Sequence, residues 1–349
     1  MPSHPPRQLA FALVVGLALT HCSYDVAFLK VSGSGGSNQG GATSMTNGGS
    51  SAAAGGSSAA AGGSSAGAGN SNTTVSAGST SVSSYCPSSS QQPGESYASV
   101  QVGNATRTYL LHVPASYSGT SPVPLVLDFH GLADLPQNEA DNSGYRDLSD
   151  QQGFIVAWPQ GVDLAWNLGI CCTSSRTVDD LGFARAIVQQ IQQNACIDAK
   201  RIYATGYVLG GGMAMYLGCN AADLFAGVVS NSFDLWEEAQ EPCQPSRPVT
   251  EVSFRGFADP IIPYAGGPDS PPNLPSITLN FLGAVGTFQK WAALDQCPGS
   301  PSAADANGCS TYSQCQGGAQ VTLCTTQGGG EDWGSPAIAW DILKAHPLP

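Results

Sequence analysis

Charge is the scarcest feature of this 349-residue sequence: Asp, Glu, Lys and Arg make up 11% of it, against ~25% in an ordinary globular chain. Between Lys30 and Glu95 no charged residue occurs at all. Lys and Arg number 12 against 25 Asp and Glu, a formal charge of −13. That balance excludes nucleic acid as a partner, because phosphate binding rests on clusters of basic side chains. Histidine is scarce too, at five residues, and no two cysteines show C-x-x-C spacing. Neither a metal centre nor a cofactor is expected. No apolar run reaches the ~20 residues that a membrane-spanning helix needs.

What is abundant is glycine, 43 residues of it, and its distribution divides the chain. Residues 1–22 read as an export signal. Arg7 supplies the positive start, and residues 9–19 (LAFALVVGLAL) form an apolar run of signal length. Leu19-Thr20-His21-Cys22 resembles the lipobox of bacterial lipoproteins, with His21 where that motif has a small residue. Cys22 is therefore a candidate lipid anchor. Residues 23–84 are expected to be a disordered linker, since Gly, Ser and Ala cannot bury enough apolar surface to offset ordering entropy. Within it SAAAGGS at 51–57 recurs at 58–64 without any apolar seam, so a coiled coil is excluded. As a random coil the tract from Ser32 to Ser84 would span roughly 40 Å.

Residues 85–349 form the predicted folded domain. Only Arg7, Lys30 and Asp25 among the charged residues precede it, so its net charge is −14. It holds ten cysteines: Cys86, Cys171, Cys172, Cys196, Cys219, Cys243, Cys297, Cys309, Cys315 and Cys324. An even number in an exported domain predicts disulfides, whose connectivity the sequence leaves open. Short β-rich runs are expected at 107–113, 125–129, 154–158, 201–205, 226–230 and 249–254. Helices are expected at 178–194, capped by Thr177, and at 281–294, with another starting at Gly211. This alternation predicts an α/β fold with a mostly parallel sheet covered on both faces, and a site at the carboxyl ends of its strands.

Gly206-Tyr207-Val208-Leu209-Gly210 lies between a strand and a helix, the frame of a G-x-S-x-G nucleophile elbow. Around it, in order, stand Phe129-His130-Gly131, Trp166-Asn167-x-Gly169-x-Cys171-Cys172, Gly256-Phe257-Ala258-Asp259 and Gly328-Gly329-Gly330-Glu331-Asp332-Trp333. From about Tyr97 onward the chain resembles the secreted polyhydroxybutyrate depolymerase and feruloyl esterase family of α/β-hydrolases. The resemblance implies the α/β-hydrolase fold and ester hydrolysis by a Ser…Asp…His triad, on polyesters or feruloylated plant polysaccharide.

Carried over position by position, the triad is incomplete. The family's serine falls on Val208, which has no nucleophilic atom. Its histidine falls on Glu331, and Asp259 alone matches the acid. The family's His-Gly before the acid is Arg255-Gly256 here, and Arg255 is placed to neutralise a pair formed by Asp259 and Glu331. The domain's histidines, His112, His130 and His346, do not follow the triple glycine, and Thr205 precedes the elbow. The oxyanion donors implied by the resemblance are the N–H of Leu209 and one within His130-Gly131-Leu132. Trp166 and Trp333 are candidate pocket walls, with ordinary packing as the alternative. The leading expectation is an exported module that binds a polymer or small ester without serine esterase activity. The alternatives are an active carboxylic-ester hydrolase using displaced residues, and a surface lipoprotein without a ligand.

Overall fold

The computed structural model describes residues 86–87, 91–173, 176–237, 242–270, 276 and 278–349. The expected export signal, Cys22 and the linker lie outside these residues. The chain opens on strands β1 (Gly94–Val102), β2 (Ala105–Val113) and β3 (Val123–Phe129). Helices α1 (Pro136–Asn142) and α2 (Tyr145–Gln152) precede β4 (Ile155–Pro159). Then α3 (Asp180–Asn194), β5 (Ile197–Tyr207), α4 (Leu209–Asn220), β6 (Gly227–Asn231) and β7 (Thr250–Gly256) alternate. A short hairpin of β8 (Gly267–Asp269) and β9 (Leu279–Phe281) leads to α5 (Gly283–Leu294). Strands β10 (Cys309–Tyr312) and β11 (Val321–Thr326) and helix α6 (Pro336–Leu343) close the domain.

Nine strands form one sheet in the order β1-β2-β4-β3-β5-β6-β7-β11-β10. Neighbours from β4 to β11 run parallel, and the pairs β1–β2, β2–β4 and β10–β11 are antiparallel. This is the α/β-hydrolase fold. The central strands are apolar throughout because both faces are covered. On β3, Leu125 and Leu127 join the core cluster containing α3 and α4, while Val126 joins the one containing α6. Period-two alternation thus feeds two cores rather than one core and solvent.

All ten cysteines of the domain pair, as Cys86–Cys196, Cys171–Cys172, Cys219–Cys243, Cys297–Cys315 and Cys309–Cys324. Helix α3 begins at Asp180, two residues later than expected. Its cap is Asp179, whose carboxylate accepts from the N–H of Gly182 at 2.7 Å, and not Thr177. The late helix starts at Gly283, because Leu279–Phe281 is taken by the hairpin.

Candidate functional site

The site is built at the carboxyl end of β5. There the chain turns from strand into α4 within a single residue, Val208, whose φ of 48° and ψ of −113° lie in a region costly for a β-branched side chain. Two contacts hold it there. The N–H of Val208 donates to the carbonyl of Asn231 at 2.8 Å, and the Asn231 amide donates to the carbonyl of Gly206 at 2.8 Å. The flanking glycines are required by close approach. A Cβ on Gly206 would run into the backbone of Gly210, and one on Gly210 into the carbonyls of Phe129 and His130. The first turn of α4 therefore abuts the end of β3, and its leading N–H groups, including that of Leu209, have no intrahelical acceptor.

Beside the elbow opens a cavity of about 310 Å³. Gly131 and Leu132 line it from the loop after β3, Val208 and Leu209 from the elbow, and Tyr207 from the end of β5. Phe233 and Ile262 extend the apolar wall, and the hairpin adds Leu279 and Phe281. Asp134, Asp269 and Glu331 bring carboxylates to the lining.

His130 and Trp166 do not reach this cavity. His130 is fully buried behind the loop, donating from Nδ1 to the carbonyl of Gly131 at 2.7 Å and accepting the N–H of Gly161 at Nε2 at 3.0 Å. Both bonds suit a neutral imidazole, and burial pushes its pKa down despite the Gly131 carbonyl. Trp166 is packed against it, donating from its indole to the carbonyl of His130 at 2.8 Å. Their place is to set the path of the loop that carries Gly131 and Leu132. Trp333 stands one layer back: it stacks on Tyr207 at 3.9 Å between centroids, and its indole donates to the buried Glu139 at 2.9 Å. The Tyr207 hydroxyl donates in turn to the carbonyl of Glu331 at 2.9 Å.

Glu331 lines the cavity across from the elbow loop residues, in the segment after β11. Burial, and after it the charge of Asp259, push its carboxyl above the usual range. Asp259 is 7% exposed and faces its own loop: its Oδ1 accepts from the N–H of Ile261 and Ile262 at 2.9 and 3.0 Å. Of the expected Asp259–Glu331 pair, Arg255 meets Asp259, and none of its described contacts is with Glu331. Its buried guanidinium pairs with Asp234, lies 3.7 Å from Asp259 Oδ2 and donates to the carbonyl of Ile262 at 2.6 Å. Burial nevertheless pushes Asp234 up to about 6. The side chains of Arg255, Asp234 and Asp259 are fully buried, whereas Glu331 is half-buried.

The remaining histidines lie elsewhere. His112 on β2 contacts Asp150 at 2.9 Å, and His346 bonds the carbonyl of Ile342 after α6 at 2.7 Å. Thr205 is buried within β5. Among the described residues, no histidine, serine or threonine lines the cavity. Sequence reasoning missed Asp234, Asp134 and the hairpin. Asp234 lies 21 residues before Arg255 with no local pattern to join them. Tyr207 was visible inside the elbow motif but carried no signal of its role as a wall.

No family model matches the chain. It is 35% identical over 250 residues to feruloyl esterase B of Piromyces equi, covering 70% of this chain and 46% of that protein. The chain therefore spans about half the length of that relative. It is 30% identical over 250 residues to NocK of Nocardia uniformis subsp. tsuyamanensis, a protein named as an esterase, covering 67% of this chain and 72% of that one. Among solved structures, the acetyl xylan esterase from Aspergillus awamori superposes with a TM-score of 0.52 at 16% identity, over 71% of this chain and 99% of that one. At that identity the likeness is one of fold. With the elbow frame, the sheet order and these relatives in agreement, the chain belongs to the feruloyl esterase family of α/β-hydrolases.

Proposed function

We propose that this protein is an exported ester- or polymer-binding module of the esterase family that lacks serine esterase chemistry. The observation that carries the reading is Val208 at the apex of the elbow, beside a largely apolar cavity. An acyl-enzyme needs an activated oxygen or sulfur nucleophile, and valine offers neither. The histidine position holds Glu331, whose raised carboxyl is set by burial and Asp259. A carboxylate there has no N–H to donate to Asp259, the bond by which a triad acid orients an imidazole. The backbone donors expected for a carbonyl, at Leu132 and Leu209, border the cavity and do not depend on the substituted side chains. Binding of an ester carbonyl without turnover follows.

Ligand chemistry is proposed from the relatives, as a polyester or an ester of plant polysaccharide. Export is supported by the ten paired cysteines, because such bridges persist in oxidising compartments. A lipid anchor at Cys22 would place the domain at a surface.

The deciding experiment exposes the full chain to a fluorophosphonate probe and assays short-chain p-nitrophenyl esters. No labelling and no turnover above the uncatalysed rate are expected. Stoichiometric labelling mapped to any serine or threonine of the domain would overturn the reading in favour of an ester hydrolase using displaced residues. Retention on polyhydroxybutyrate granules or arabinoxylan then separates a binding module from a surface lipoprotein without a ligand.

A further inference from the structure

The cavity is apolar in shape but one-sided in charge. Three carboxylates border it, those of Asp134, Asp269 and Glu331, and among the described residues no Lys, Arg or His lines it. None of the three is neutralised by a cation. Asp134 accepts from the N–H of Leu135 at 2.8 Å and the amide of Asn138 at 2.7 Å, and Asp269 accepts from the N–H of Ser270 at 2.8 Å. Neutral donors orient a carboxylate without removing its charge. The guanidinium of Arg255 is buried and committed to Asp234 and Asp259, so that cluster sums to a negative charge, while Arg176 donates to the carbonyls of Gly169 and Ile170 and to none of the three carboxylates among the described contacts.

Three aromatic rings, Tyr207, Phe233 and Phe281, also line the space. Aromatic faces attract cations, most strongly where water is excluded. Apolar walls, aromatic rings and uncompensated carboxylates together select against an anion. A ligand carrying its own carboxylate would bring like charge beside three carboxylates that no described cation pairs. A ligand with a positive nitrogen on an apolar body would meet complementary groups at both ends.

We propose that the cavity bordered by Asp134, Asp269 and Glu331 binds a small cationic amphiphile, an amine or quaternary ammonium joined to an apolar or aromatic body. The inference rests on the reading above only in placing ligand binding at this cavity; it does not depend on whether the elbow is inert.

The test uses three probes of one shape, 3-phenylpropylammonium, 3-phenylpropanol and 3-phenylpropanoate, titrated by calorimetry into the full chain near neutral pH at low salt. The ammonium should bind ~10-fold or more tightly than the alcohol, and the carboxylate more weakly than either. Glu331→Gln and Asp269→Asn should each reduce the preference for the ammonium, and their combination should remove most of it. Asp147→Asn, an exposed substitution on α2, should leave it intact. Equal or tighter binding of the alcohol or the carboxylate overturns the proposal, as does the absence of ammonium binding up to millimolar concentration. A preference that survives the double substitution also overturns it. Fluorophosphonate labelling of the same preparation reports on the elbow separately, so an active nucleophile and a misassigned ligand give different results.

Discussion

The carboxyl ends of β5 and β7 meet the same cavity region with opposite side-chain strategies. At the end of β5 close backbone packing and one amide fix the turn: Gly206, Gly210 and the Asn231 bonds hold it, and its apical side chain, Val208, carries no functional group. At the end of β7 the side chains do the work. Arg255 binds Asp234 and Asp259 in a fully buried cluster, and Asp259 also caps its own loop. The contrast separates two kinds of inheritance. A backbone feature fixed by close packing persists whatever the apical residue is, because altering it would disturb the sheet and α4 together. A charged cluster has no such independence, since removing one member leaves the others buried and unpaired.

The largest effect expected follows from that asymmetry. Arg255→Met should cost about 3–5 kcal/mol of stability, because Asp234 and Asp259 would keep their burial without their cation. Chemical denaturation measures it, and Asp234→Asn added to Arg255→Met should recover part of the loss. A cost below ~1 kcal/mol would mean the cluster matters no more than a surface ion pair. At the elbow the matching perturbation is constructive. Val208→Ser alone and Glu331→His alone should each do little, since a serine without a base and a base without a serine are both idle. Combined, they should raise p-nitrophenyl ester turnover ~10²-fold over either single variant, because triad residues act as a unit. A folded double variant no better than the singles would show that Asp259, held by Arg255 and two backbone N–H groups, cannot serve a histidine at 331.

Legibility in the sequence followed the same division. The elbow could be read because its close approaches demand glycine at 206 and 210, and that demand is written locally. Strand–helix alternation gave the parallel core, since fully buried strands such as β3 are short apolar runs. The polar edge strand β1, largely exposed, lacks that signature and went unread. So did β10 and β11, where Cys309–Cys324 joins paired strands in a way that spacing does not reveal. The cap of α3 falls on Asp179 and not Thr177, since both suit an N-cap and the helix starts at Asp180, where the Asp179 carboxylate meets the N–H of Gly182. His130 is expected in the oxyanion loop and Trp166 and Trp333 as pocket walls, but none of the three lines the cavity, because whether a side chain faces it or supports the loop behind depends on packing. The charge of the cavity was the least legible property. Asp134 comes from the loop after β3 and Asp269 from strand β8, and the hairpin that carries Asp269 has no motif.

A third prediction compares the two ends of the sheet by their protons. Burial pushes Glu251 up to about 8, Asp295 up to about 7 and Asp128 up to about 6, alongside Asp234. Each folded value lies above the unfolded one, so the folded state binds more protons between them. Their contribution is fully present below about pH 4 and is lost as pH rises through about 6 to 8. The domain should therefore melt ~5 °C or more higher near pH 5 than near pH 8. Glu251→Gln, at the second residue of β7, should flatten the upper part of that profile. A melting temperature that rises from pH 5 to pH 8 would contradict the assignment of these protons.

The smallest effect tests the elbow itself. A valine at a φ of 48° holds a conformation that disfavours any Cβ and disfavours a branched one most. The strain of such a residue is about 1–3 kcal/mol. Glycine at this position removes it, against an unfolded-state entropy cost of about 0.5–1 kcal/mol. Val208 is only half-buried, so deleting its side chain forfeits little packing. Val208→Gly should therefore stabilise the domain by about 1 kcal/mol, read as a higher urea midpoint at unchanged slope. Val208→Ala should gain less, because the Cβ remains while the branch is lost. If the glycine variant is instead the less stable of the two, the turn is held by contacts of the valine side chain. The backbone at the end of β5 would then not be the self-sufficient feature that distinguishes it from the charged cluster at β7.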